Sequence, residues 1–148
     1  MFELAGLSCE DQIEELGSSV GDVLLKPTRI YVQLMKSVLH RHKAKNAVHG
    51  IAHITGGGLL ENVSRILPDG RQAVIERDCW SVPPVFDWLQ KLGDVDHEEM
   101  DRVFNRGLGL VLVVSEYDAG GVQTIIKEQG FDGWQIGKIV VGSGACWA

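Results

Sequence analysis

A strand-like run that ends in three consecutive glycines sets the tightest limit on how this chain folds. Ala47 to Thr55 has the character of a strand and runs directly into Gly56-Gly57-Gly58. Beyond the glycines, Leu59, Val63, Ile66 and Leu67 recur at helical spacing. Each glycine held in a folded position costs roughly 0.5–1 kcal/mol relative to alanine, so three cost about 1.5–3 kcal/mol. A plain strand-to-helix turn rarely needs all three. One explanation is an anion site, because a helix amino-terminus offers free N–H groups and missing Cβ atoms let a phosphate approach them. The other is a tight turn packed beneath a neighbouring element. Spacing alone leaves both open.

The flanking residues add chemistry to this turn. His53 and Thr55 stand two apart on the incoming strand and so point to the same side. Asn62 and Arg65 stand three apart on the following helix and share a face. An imidazole, a hydroxyl, an amide and a guanidinium around bare backbone suit a phosphorylated, nitrogen-rich ligand. Arg65 is the natural phosphate partner, since charge-assisted hydrogen bonds contribute roughly 1.5–3 kcal/mol. His53 has the right chemistry for a proton carrier near neutral pH. A solvated helix-face arginine and a core histidine bonded to backbone account for the same two residues without a ligand. The turn is neither a Walker loop, as no Gly-Lys-Ser/Thr follows, nor a Gly-x-Gly-x-x-Gly fingerprint. Glu61 is the only acid between Ala47 and Pro68. A complete nucleotide-magnesium site, which leans on carboxylates, is therefore not expected here, and no metal ligands are assigned.

The remaining punctuation predicts a single domain of interspersed helices and strands. Ser8 and Asp11 suggest a capping box opening a short helix that stops at Gly17, with Gly17 to Asp22 as a loop. Helices are expected over Arg29 to Lys43, from Pro83-Pro84 with Val85, Phe86 and Leu89 inward, over His97 to Phe104 behind an Asp96/Glu99 capping box, and over Asp118 to Gln129. Strands are expected over Gln72 to Glu76 after the Pro68-Asp69-Gly70 turn, over Gly107 to Ser115 as a buried element, and over Trp134 to Val141. The basic end of the first long helix (Arg41, Lys43, Lys45) suits the helix dipole and needs no ligand.

Composition excludes some classes. The chain has 148 residues and a net charge of −6, so it lacks the global basic footprint of a nucleic-acid binder. Its most apolar stretch, Gly107 to Val114, falls far short of the ~20 residues of a membrane helix. The acidic start (Glu3, Glu10, Asp11) is unlike a secretory signal, and Cys9, Cys79 and Cys146 are widely spaced, as reduced thiols of a cytoplasmic protein would be.

Several segments together resemble one family. Leu24-Leu25-Lys26-Pro27-Thr28-Arg29-Ile30-Tyr31-Val32 is similar to its leucine-leucine-x-proline-threonine-arginine segment. Ala52-His53-Ile54-Thr55-Gly56-Gly57-Gly58-Leu59, with Glu61-Asn62, Arg65 and Leu67-Pro68, resembles its most characteristic stretch. Trp80, Pro84, Phe86, Trp88-Leu89-Gln90, Gly93, Glu99-Met100, Arg102, Phe104-Asn105, Gly107, Gly109, Trp134, Ile136-Gly137 and Ile139 follow in family order. On these residues the chain is identified with the carboxy-terminal part of the phosphoribosylformylglycinamidine cyclo-ligase (aminoimidazole ribonucleotide synthetase) family. Two positions depart from the family pattern. Asp101 stands where tyrosine or a similar residue is usual, and Arg106 where a small or apolar residue is usual.

The resemblance implies an α+β fold: a layered α/β/α domain with a mixed sheet, of the aminoimidazole ribonucleotide synthetase carboxy-terminal-domain type, over residues 1–148. It implies ATP-dependent closure of formylglycinamidine ribonucleotide to aminoimidazole ribonucleotide in purine biosynthesis, at a cleft between this domain and an ATP-binding amino-terminal half that this sequence lacks. ATP and Mg2+ would be held mainly by that half, the whole enzyme would be a cytoplasmic homodimer, and this chain alone would be inactive. On this reading Thr55, Gly56, Gly57, Gly58, Asn62, Arg65 and Asn105 bind substrate or phosphate, and His53 is the catalytic candidate. Nucleic acid and membrane are not expected partners. A free-standing phosphometabolite-binding module, or a domain of a related ATP-dependent synthetase, is the alternative.

Overall fold

The computed structural model describes residues 5–41 and 47–148. Its centre is an antiparallel pair, β3 (Val48–His53) with β5 (Leu110–Val114), in which His53 faces Leu110 and Ala52 faces Val111. The pair separates two cores. On one side α2 (Val32–Arg41) and α6 (Ala119–Glu128) contribute Leu34, Val38, Val122 and Ile125, which pack on Val48, Leu112 and Val114. On the other side Ala52, Ile54 and Leu108 join Leu59 and Val63 of α3 (Gly58–Ser64) and Ala73 and Ile75 of β4 (Arg71–Ile75). Strand alternation explains the division, because successive side chains of β5 leave the ladder on opposite faces.

The second sheet is mixed, in the order β6–β4–β7. Strand β6 (Gly137–Val141) runs antiparallel to β4, and β7 (Gly144–Trp147) runs parallel to it. Two further helices, α4 (Pro84–Gly93) and α5 (His97–Val103), lie between β4 and β5 in the chain, and α5 packs against α3. Helix α4 starts at Pro84, whose fixed φ suits the first helical position. Helix α5 is capped by Asp96, whose carboxylate accepts the Glu98 N–H at 2.8 Å. This is the expected α+β arrangement with a mixed sheet.

Several sequence expectations change. Residues 8–22 form a two-residue ladder, β1 (Gln12–Ile13) with β2 (Ser18–Ser19), around a 3-10 turn at Glu14–Leu16, in place of a capped helix and a loop. The Asp11 carboxylate accepts from the Ser8 N–H at 2.7 Å, the reach-back half of the expected capping box, but no α-helix follows it. Ser19 then caps α1 (Val20–Leu24) by accepting from the Asp22 N–H, and the Ser19 and Ser18 hydroxyls hold the Asp22 carboxyl below the usual range. The Glu99 half of the second capping box does not reach back to Asp96. Its carboxylate takes Arg102, a charge-assisted bond stronger than one to a neutral amide, and this lowers its pKa. Strand β5 is half-buried throughout, and among the described residues it pairs only with β3. In α4 the buried side chain is Trp88, with Val85, Phe86 and Leu89 only half covered. Arg41 pairs with Glu128 and ties α2 to α6, whereas Lys43 and Lys45 lie outside the described residues. The three cysteines are free, as expected.

Candidate functional site

The three glycines differ in what requires them. Gly58 has φ +61°, and a Cβ on it would stand 1.9 Å from the carbonyl oxygen of Asp101, on α5. Backbone there cannot yield as a flexible side chain would, so close helix packing demands this glycine. Its N–H donates to the Thr55 carbonyl at 3.2 Å. Gly57 has φ +96°, a conformation L side chains rarely adopt, and a Cβ there would strike the Glu61 side chain. Gly56 has open space where a Cβ would be and is exposed. Among the described residues, the N–H groups of Gly56 and Gly57 form no backbone hydrogen bond. Tight packing therefore explains Gly58, and bare backbone facing solvent is confined to Gly56 and part of Gly57.

Asn62 is the clamp of this turn. It is only 7% exposed, and its side-chain NH2 donates to the carbonyls of Gly58 at 2.7 Å, Gly56 at 3.2 Å and Thr55 at 3.4 Å. An amide oriented this way holds the loop and is turned away from any ligand. Its Oδ1 accepts from Arg65 Nη1 at 3.4 Å. Arg65 also pairs with Glu61 on the solvated face of α3, both side chains being more than half exposed. Thr55 is exposed beside Gly56. His53, the last residue of β3, is exposed too, so it is not a core histidine.

One neighbour was not evident from the sequence. Tyr31, which spacing places in a helical stripe, stands edge-on to His53 with ring centroids 6.3 Å apart and also packs on Phe131. A Cβ on Gly109 would meet the Tyr31 hydroxyl at 2.1 Å, so that glycine makes room for the ring. A glycine just ahead of an apolar strand was the available signal. The Pro27-to-Tyr31 segment thus reaches the same end of β3 as His53. Asn105 is engaged locally: its Oδ1 accepts the Gly107 N–H at 2.9 Å and shapes the turn after α5. Among the described residues no hydrogen bond joins its side chain to the glycine turn.

The carboxylates around the turn already have cationic partners, Glu61 with Arg65, Glu99 with Arg102 and Asp101 with Arg77. Among the described residues no group of three or more His, Cys, Asp or Glu is placed to hold a metal ion. These residues do not fit a magnesium site.

Residues 2–145 match the family described as AIR synthase related protein, C-terminal domain. The chain belongs to that family. Within the AIR synthase C-terminal domains its curated relatives include proteins named phosphoribosylformylglycinamidine cyclo-ligase. That of Gloeobacter violaceus is 46% identical over 148 residues, all of this chain and 43% of that protein. Those of Syntrophotalea carbinolica (45% over 139 residues, 94% and 39%) and Geobacillus thermodenitrificans (46% over 144 residues, 97% and 40%) are similar. The chain therefore spans about two-fifths of the length of these relatives. Among solved structures, E. coli HypE, a hydrogenase maturation protein, superposes with a TM-score of 0.63 at 19% identity, over 88% of this chain and 41% of that one. At that identity the likeness shows the fold alone.

In this AIR synthase C-terminal domain a separate concavity of about 710 Å³ lies at the amino-terminal segment, lined by residues including Cys9, Leu16, Asp22 and Pro27. It is open and contains none of the glycine-turn residues. No described helix is long and apolar enough to cross a membrane.

Proposed function

We propose that this chain supplies one wall of an ATP-dependent cyclo-ligase site that converts formylglycinamidine ribonucleotide to aminoimidazole ribonucleotide. The observation that carries the reading is the exposed lip of His53, Thr55 and Gly56 beside Arg65, on a chain whose relatives at 45–46% identity are named as that ligase. In the reaction the γ-phosphoryl group of ATP moves to the formamide oxygen and ADP leaves. The amidine nitrogen then attacks the activated carbon, inorganic phosphate departs and a proton is lost. Chemistry of this type rests on positioning and on charge stabilisation. Thr55, the Gly56 and Gly57 N–H groups and Arg65 would bind a phosphate, and His53 would orient the formamide or carry the proton. Asn62 would act on the ligand only through the loop it clamps.

The nucleotide would be held by an amino-terminal half of the cytoplasmic, homodimeric whole. In keeping with a covered face, Leu25 and Ile30 are each 78% exposed and flank Pro27 in the segment that leads to Tyr31.

Arg65→Ala separates binding from folding. Its ion pair with Glu61 is exposed, so its loss should change stability by less than about 0.5 kcal/mol. Removing a guanidinium that grips phosphate should weaken inorganic phosphate binding roughly tenfold or more, the equivalent of about 1.5–3 kcal/mol. Thermal unfolding and calorimetric titration of the same preparation measure both. Unchanged phosphate affinity removes Arg65 from the site.

A further inference from the structure

We propose that Asp101 is a positioning residue for the glycine turn, held in place by Arg77, Arg106 and His97 around its carboxylate. The functional consequence rests on the turn being the phosphate lip described above. The Asp101 side chain is only 9% exposed. Arg77, from the 3-10 turn after β4, pairs with its Oδ2, and His97, one turn earlier on α5, stands 3.7 Å from the same oxygen. Arg106 approaches the other carboxylate oxygen, with Nε 3.7 Å from Oδ1. Arg77 and His97 also meet each other at 3.3 Å, and Arg77 lies over the Trp147 ring of β7 at 4.1 Å. One carboxylate thus gathers the end of β4, the last strand, α5 and the turn beyond it.

Arg106 makes this arrangement fragile. Its side chain is 12% exposed, it holds φ at +49°, and its buried Nη1 has no hydrogen-bond partner among the described residues. Its carbonyl accepts from Trp80 Nε1 at 3.0 Å, which fixes the backbone of the turn. A guanidinium so enclosed depends on Asp101 for its countercharge. Asp101 and Arg106 are therefore physically one feature, a carboxylate and the largely enclosed cation it neutralises. The Asp101 main-chain carbonyl is the atom that leaves no room for a Cβ at Gly58. Anything that shifts this part of α5 is transmitted directly to the Thr55–Gly58 turn.

Asp101→Asn keeps the shape and removes the charge, leaving Arg77 and Arg106 without their shared countercharge. In the 15N-labelled chain the Gly57 and Gly58 amide resonances should move although both are distant in sequence, while signals of α2 and α6 stay in place. Inorganic phosphate should bind about tenfold more weakly, because a displaced lip is no longer preorganised. Asp101→Glu, or Asp101→Asn combined with Arg106→Gln, should restore the Gly58 resonance toward the wild-type position. A destabilised Asp101→Asn chain whose Gly57 and Gly58 signals are unmoved would overturn the proposal, since Asp101 would then support the fold without setting the turn. Absence of phosphate binding by the wild-type chain would defeat the ligand reading instead, and the amide shifts would still decide the positioning role. If Asp101→Asn folds too poorly for spectra, Arg77→Gln removes the more exposed of the two arginines and gives the same readout.

Discussion

Gly58→Ala is expected to destabilise the chain by roughly 2–5 kcal/mol, whereas Gly56→Ala is expected to leave stability nearly unchanged. The chemical change is one methyl group in both cases. At Gly58 the methyl group would lie 1.9 Å from the Asp101 carbonyl oxygen and 3.1 Å from that of Arg102, on a backbone held at φ +61°. Left-handed backbone costs a non-glycine residue about 1–2 kcal/mol, and forcing α3 and α5 apart adds about 1–3 kcal/mol of overpacking. At Gly56 there is nothing within 4 Å of the new methyl group, and φ is not in the left-handed range. For a domain of this size the Gly58 penalty corresponds to a fall in Tm of roughly 5–15 °C. Paired thermal melts would show it. Equal losses at both positions would mean that the turn is not organised by α5.

Asn62→Asp should be more damaging than Asn62→Ala. Three carbonyl oxygens converge on the Asn62 NH2 group, and removing it leaves them without that donor, at roughly 2–3 kcal/mol. Aspartate fills the same volume but presents an ionised oxygen to those oxygens in a buried site, so a loss of about 3–5 kcal/mol is expected near neutral pH. The sign of the pH dependence follows. The introduced carboxyl has a higher pKa folded than unfolded, so the folded state binds more protons and stability falls as pH rises. The deficit should therefore grow above about pH 4, near the ordinary aspartate pKa, and shrink below it, where the protonated acid again donates. Denaturant titrations of both variants between pH 4 and 8 test this. Equal, pH-independent losses would show that the amide is not the loop's donor.

Much of the architecture was legible because periodicity and punctuation agreed. Strand β3, the glycines, α3 and the Pro68-Asp69-Gly70 turn follow one another as read, and α4, α5 and α6 begin within a few residues of their proline or aspartate signals. Strand β7 was not legible. Gly144-Ala145-Cys146-Trp147 is short and poor in β-branched residues, and it exists because β4 offers it a parallel edge. The β1–β2 ladder is likewise two residues long, too short for any period to register.

At the site, the sequence marked the turn but not the division of labour within it. Gly58 answers to a carbonyl on α5 that no local pattern reveals, and Asn62 and Arg65, alike in spacing, separate into a buried clamp and an exposed cation. Tyr31 reached the site by tertiary packing alone.

Fusing the amino-terminal portion of a cyclo-ligase relative to this chain, and following ATP-dependent formation of aminoimidazole ribonucleotide, tests the functional account most directly. The fusion should turn over formylglycinamidine ribonucleotide and the isolated chain should not. Turnover by the isolated chain, or a well-folded fusion without activity, would contradict the account.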